Sequence, residues 1–253
     1  MQAPQGSVSL RAGDNLSVPL GTTISAGLTV DLFGDYADAD SGVGTLMDLR
    51  GSLTGTRVNI SGGDHVDSIL LRTATSPTFI DSGDSNDTIR IGSNASAGGN
   101  SGGRLDTIRA AVSVDGGPNT LAAGGDSLEL DDSGDSLGNT GTLSAAQLSG
   151  LGLGAALSYV RVETLRITLG SGNDQFYVVG TAAGTVTGID LDGGENLLST
   201  DDPAQAAKNG LNDIDGKLTL VGGPGSANRL VLSDGVTGAQ AAAANQGVLA
   251  NGS

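Results

Sequence analysis

The sequence predicts an all-β chain, a parallel β-solenoid (β-helix) with irregular insertions, and four observations carry that expectation. Glycine takes 43 of 253 positions, against a usual ~7%. The charged residues are skewed in the same direction: 25 of the 28 acids are Asp, and only 2 of the 12 bases are Lys. Asp and Gly belong to turns, whereas Glu and Lys favour helices. Aromatic side chains are nearly absent, with three Tyr, three Phe and no Trp, which excludes a ring-filled core. Finally, one unit recurs: two or three alternating apolar positions, a Gly- and Asp-rich turn, then apolar alternation again.

Taken in order, residues 1–50 form a less regular lead-in, VSLRAGDNLSVPL and then LTVDLFGDYADADSGVGTLMDL, with an acidic turn at 35–40. The repeat begins at 58–71 (VNISGGDHVDSILL) and returns at 79–91 (FIDSGDSNDTIRI). Residues 94–103 (NASAGGNSGG) read as a flexible loop by composition. A third copy, 112–121 (VSVDGGPNTL), runs at once into a second turn and strand, AAGGDSLEL. Residues 131–159 read as an insertion between coils, in which 145–150 suit one helical turn. Further copies follow at 167–178 (ITLGSGNDQFYV), 189–198 (IDLDGGENLL) and 218–232 (LTLVGGPGSANRLVL). Between the last two, residues 201–210 (DDPAQAAKNG) open with a helix-cap signature and read as a short helix or a bulging loop.

The consensus is apolar-x-apolar-x-G-G-x-x-x-[DN]-x-apolar-x-apolar. Alternation on both sides of a turn makes two short strands facing one core. The second glycines fall at 63, 83, 117, 172, 194 and 223, and two of the gaps are near the ~20 residues of a short solenoid repeat. No single unit can bury its own apolar face, so stability must come from stacked neighbours. An antiparallel sandwich uses Gly and Asp turns as well and is the competing architecture. The chain reads as a single elongated domain over 1–253.

A net charge of −16 argues against nucleic acid, whose phosphates need a basic face, and against an anionic membrane surface. It favours cations. With no cysteine there are neither disulfides nor thiolate metal sites, and no apolar run approaches the ~20 residues of a membrane span. Residues 1–5 carry no signal-peptide pattern, and 247–253 end without a cap. The expectation is a piece of a longer chain whose uncapped ends favour end-to-end association.

The turns carry the strongest chemical signal. Gly170-Ser171-Gly172-Asn173-Asp174, Ser82-Gly83-Asp84-Ser85-Asn86-Asp87 and Gly62-Gly63-Asp64-His65-Val66-Asp67 resemble the repeats of RTX-like, hemolysin-type calcium-binding proteins. The resemblance implies Ca²⁺ bound between turns, with Asp64, Asp67, Asp84, Asp87 and Asp174 as ligands. A hard cation of this kind wants six to eight oxygens. The sequence departs from the family because its turns are dispersed rather than tandem. Asn119, Asn196 and Asn228 also stand where the aspartate is expected, and there an Asx-stabilised corner without metal is favoured. The run 130–178, with its DDSGD turn, LSGLGLG stretch and ETLRITLGSGNDQFYV strand-turn-strand, resembles a segment of very large bacterial extracellular surface or adhesin proteins.

What that resemblance implies is a structural or adhesive module at the cell surface or outside the cell, and no enzyme. Its partners would be neighbouring copies, flanking repeats, or surface and matrix polysaccharide. The alternative is a carbohydrate-active β-helix (lyase, hydrolase or epimerase) or its accessory module, for which Arg57, Arg72, Arg90 and Arg166 would line a strand face. His65 is the only histidine, so any Ser-His-Asp site must use it; its Gly-Asp turn favours a structural role. Asp131, Asp132 and Asp135 read as an acidic surface turn, and the Thr181–Thr187 stretch is too short for a surface-binding ladder.

Overall fold

In this computed structural model the described residues are 1–37, 41–119, 124–204, 210–223, 227–233 and the backbone of Asn245–Val248. Among them there is no α-helix, only a 3-10 turn at Leu211–Asp213. The first part of the chain carries β1 (Gln2–Ala3), β2 (Val8–Arg11), β3 (Leu16–Val18), β4 (Thr23–Ala26), β5 (Thr29–Phe33), β6 (Leu46–Leu49), β7 (Ser52–Thr54) and β8 (Arg57–Gly63). There follow β9 (Ser68–Leu71), β10 (Thr78–Gly83), β11 (Thr88–Ile91), β12 (Val112–Asp115), β13 (Ser127–Asp131), β14 (Thr140–Ser144), β15 (Gln147–Gly150) and β16 (Leu157–Val160). The last are β17 (Thr164–Thr168), β18 (Gln175–Val178), β19 (Val186–Asp190), β20 (Leu197–Ser199), β21 (Leu218–Val221), β22 (Arg229–Leu232) and β23 (Asn245–Val248).

The strands form two long sheets and a short one. The order in the 12-stranded sheet is β2-β5-β8-β10-β12-β16-β15-β14-β18-β20-β22-β23, and in the 8-stranded sheet β21-β19-β17-β13-β11-β9-β6-β3. The chain alternates between them, and every pairing in the 8-stranded sheet is parallel. Equivalent residues therefore lie side by side. Leu32, Ile60, Ile80, Val114 and Tyr159 make one inward row. Leu49, Leu71, Ile91, Leu130, Ile167 and Ile189 make a row in the facing sheet. All are buried in one continuous apolar cluster, each removing on the order of 1.5–3 kcal/mol worth of side chain from water.

The lead-in is more regular than its sequence suggests. Val8 pairs with Val30 and Leu16 with Met47, so β2 and β3 already sit in register in the two long sheets. Their corners lack the double glycine, which hid them. The 131–159 insertion holds the antiparallel hairpin β14–β15, not a helical turn at 145–150. Leu143 and Leu148 alternate with outward positions and are fully buried, which is a strand pattern. The loop at 94–103 is held by its own bonds rather than being loose: Ser96 and Gly99 form a bridge, Asn94 donates to the Ser101 carbonyl, and Arg90 donates to Ser96 and Ala97. Of the 201–210 segment, residues 205–209 lie outside the described residues. So do 38–40 of the acidic turn, 120–123 across the end of the third repeat, 224–226 of the last repeat, and 249–253 at the end.

The hairpin divides the chain in two. Before it, Gly/Asp corners lead from the 12-stranded to the 8-stranded sheet, as between β8 and β9, β10 and β11, and β12 and β13. The return passes through the short parallel sheet β1-β4-β7 and the Ala74–Ile108 bridge. Beyond it the Gly/Asp corners lead the other way, from β17 to β18, β19 to β20 and β21 to β22. The long connection then carries the Thr181–Ile214 bridge.

Candidate functional site

Each Gly/Asp corner ends on one residue immediately before a strand, and that residue bonds to its counterpart on the neighbouring pass. Asp67 Oδ1 accepts from the Thr45 N–H at 2.6 Å, and Asp87 Oδ1 from the Asp67 N–H at 2.7 Å. Asp126 Oδ1 then accepts from the Asp87 N–H at 2.8 Å, and Glu163 Oε2 from the Asp126 N–H at 2.7 Å. A single acidic file therefore runs along the starts of β6, β9, β11, β13 and β17. Paired strands stand ~4.8 Å apart, which is within reach of one aspartate side chain.

A second file follows the hairpin at the starts of strands in the other sheet. Asp174 Oδ1 accepts from the Asn139 N–H at 2.7 Å, Asn196 Oδ1 from the Asp174 N–H at 2.8 Å, and Asn228 Oδ1 from the Asn196 N–H at 3.1 Å. Two of these three are amides. Asn196 also uses its NH₂ group, donating to the carbonyls of Leu191 and Gly193 at 2.8 Å each. An asparagine can satisfy both ends of its side chain here. An ionised aspartate, with acceptors only, cannot.

The five aspartates predicted as metal ligands are thus split. Asp67, Asp87 and Asp174 are buried in the two files, and their Oδ2 atoms have no hydrogen-bond partner. Asp64 is exposed and Asp84 half-buried on the outside of their corners, where Asp84 Oδ1 accepts from the Ser85 N–H at 2.9 Å. Among the described residues no group of three or more His, Asp or Glu is arranged to hold a metal ion. Each inner carboxylate has one oxygen committed to a backbone N–H, and the outer pair face water.

Electrostatics follow from the stacking. Burial, reinforced by neighbouring carboxylates, raises Asp67 and Asp87 to about 7 and Asp126 to about 6. Their backbone donors pull the other way but do not cancel the desolvation. Burial also raises Asp174, and lifts Asp132 to about 7. Asp132 is itself a strut: its Oδ1 accepts from the Leu105 N–H at 2.9 Å.

Asp126 follows its glycine pair directly and Glu163 follows none, so neither fits the G-G-x-x-x-[DN] spacing. Asn119, which stands in the aspartate's place in the third repeat, donates to Asp126 and Glu163 from the side. The signal was nevertheless present as an acid, a hydroxyl residue and apolar alternation: DSILL, DTIRI, DSLEL and ETLRI begin at 67, 87, 126 and 163. His65 accepts from the Gly42 N–H through Nε2 at 2.9 Å, and its Nδ1 meets the buried Asp35 carboxylate at 3.0 Å. Both ring nitrogens are thereby engaged in holding this corner. No helix among the described residues is long and apolar enough to cross a membrane. Compared with known protein families, curated proteins and solved structures, the chain matches none.

Proposed function

We propose that the chain is a β-solenoid and serves as a structural or adhesive scaffold segment of a secreted bacterial surface protein. The observation that carries this reading is the pair of side-chain-to-backbone files. They tie each strand start to the next and lie parallel to in-register aliphatic rows. Such bonds reward stacking and nothing else, and their residues converge on no reacting centre. The surplus of acid on short turns suits a chain that works among cations outside the cell.

Pulsed EPR with spin labels at Ser9→Cys and Ser158→Cys tests the stack, since the native chain has no cysteine to interfere. These outward positions are linked through Asp31, Asn59, Phe79 and Ser113, five pairings in all. A stack places their backbones roughly 24 Å apart, five strand spacings, whereas a broad or much longer distribution would refute it. Calcium enters this reading as a counterion that relieves repulsion among acidic corners. Millimolar Ca²⁺ should then raise the melting temperature above that in EGTA, with Mg²⁺ doing nearly as well. An unchanged midpoint with both ions removes calcium from the reading.

A further inference from the structure

Beyond the acidic corners, the outer face of the 8-stranded sheet has a hole in it. On β17, β19 and β21 the outward positions form a grid. Arg166, Gly188 and Thr219 lie in one register row, and Thr168, Asp190 and Val221 in the next. Gly188 is at the centre and has no side chain. A cavity of about 280 Å³ opens over it, walled by Thr164, Arg166, Val186, Asp190, Thr219 and Val221. Arg166 also borders a second hollow of about 360 Å³ with Asn100 and Glu129.

The cation in this wall is unspent. Arg90 stands two strands away in the same row but is pinned by Glu129 at 2.8 Å and by two carbonyls. Arg72 is drawn to Asp48 at 3.8 Å. Glu129 being occupied by Arg90, Arg166 is exposed and makes no ion pair or hydrogen bond with any described residue. Opposite it, Asp190 accepts from the Asp192 N–H with Oδ1.

We propose that this hollow binds one uronate unit of an acidic oligosaccharide, with Arg166 holding the sugar carboxylate. A planar guanidinium matches a carboxylate in two hydrogen bonds. Asp190 and the threonine hydroxyls suit ring hydroxyls, and Val186 and Val221 offer apolar surface to the C–H edge of a sugar. Other anions fit less well. A phosphate dianion would meet Asp190 and Glu129 with only one cation to offset it. Over Gly188 itself a peptide strand finds no free backbone, because β19 is hydrogen-bonded on both sides, and the open edge of the sheet lies on the far side of β21. The net charge of −16 limits the site to short oligomers, which bring few charges against the repulsive surface.

Gly188 provides the test. A Cβ built there meets only the Leu165 carbonyl oxygen at 3.9 Å, and the backbone is not left-handed. Gly188→Val therefore fills the hollow with a good strand former and leaves the fold intact, as checked by melting. Trigalacturonate and trimannuronate are titrated by calorimetry against the wild type, Gly188→Val and Arg166→Gln, with fully methyl-esterified trigalacturonate as the uncharged control. The expected result is binding of at least one uronate trimer, at least about tenfold stronger than binding of the ester, or about 1.4 kcal/mol. Both substitutions should weaken it by a similar factor at unchanged melting temperature. No binding of either trimer, equal binding of the ester, or binding that survives both substitutions overturns the proposal. Should Gly188→Val disturb the strand, Arg166→Gln decides alone, because its side chain has no bond to any described residue to lose.

Discussion

Asp87 lies between two acids of its own file, accepting from the Asp67 N–H with Oδ1 while its own N–H donates to Asp126. The acceptor is useful and the charge is not, since Oδ2 is buried without a partner. The amide file separates these roles: Asn196 keeps the acceptor and turns the other end of its side chain into a donor. Asp87→Asn should therefore be neutral or stabilising at pH 8, where the carboxylate must otherwise ionise in a desolvated place. Asp87→Ala should destabilise by about 1–3 kcal/mol, the cost of leaving the Asp67 N–H buried and unpaired. Urea unfolding of the two variants at pH 8 checks the pair. A loss in Asp87→Asn as large as in Asp87→Ala would mean that the charge itself is needed.

At the scale of elements, corners and strands were unequally legible. Strands could be read because most alternate Val, Ile or Leu with polar residues, and burial follows that pattern in β5, β8, β11, β13, β17 and β19, whereas β9 and β18 bury three residues in a row. The glycine corners were legible as turns, but not as two separate columns. Position 83 shows why glycine is required there. Its φ is +102°, and a Cβ would fall 1.7 Å from the Gly63 carbonyl oxygen, while Gly117 sits in the same relation to Gly83. Gly83→Ala must push two passes apart at the end of the in-register β8–β10 ladder, so it should cost several kcal/mol, beyond the ~1 kcal/mol of an ordinary left-handed alanine. Chemical denaturation measures it. A loss under ~1 kcal/mol would mean that the corners are not in contact. The hairpin β14–β15 was hidden because small residues (SAAQ, 144–147) suit a turn as well as a helix. The neighbours that choose between them are β16, the next strand, and β18, two strands further on, and a local pattern shows neither. The split of the five candidate ligands into buried and outward aspartates was hidden as well. It depends on which side chain reaches the next pass, and spacing along one chain does not encode that.

For the whole molecule, the acidic file makes stability depend on pH in an unusual sense. Ordinary acid unfolding comes from carboxylates whose native partners hold them ionised. Here Asp67, Asp87 and Asp132 are raised to about 7 and Asp126 to about 6 by burial, while the unfolded chain releases those protons near 3.9. Between pH 4 and 7 the native protein thus binds more protons than the unfolded one, and stability must fall as pH rises through that window. The contribution is fully present below about 4, gone above about 7.5, and reinforced by the net charge of −16, whose self-repulsion also grows with pH. Asp135, lowered by its backbone donors and Asn139, works the other way but only below its ordinary value, outside this range. The protein should therefore melt several degrees higher at pH 5.5 than at pH 8. The gap should narrow in Asp67→Asn and Asp87→Asn and persist at high salt, which screens surface repulsion but not buried desolvation. A melting temperature that rises from pH 5.5 to 8 would mean that these carboxylates ionise freely, and that the file is wetter or more heavily cation-bound than its hydrogen bonds imply.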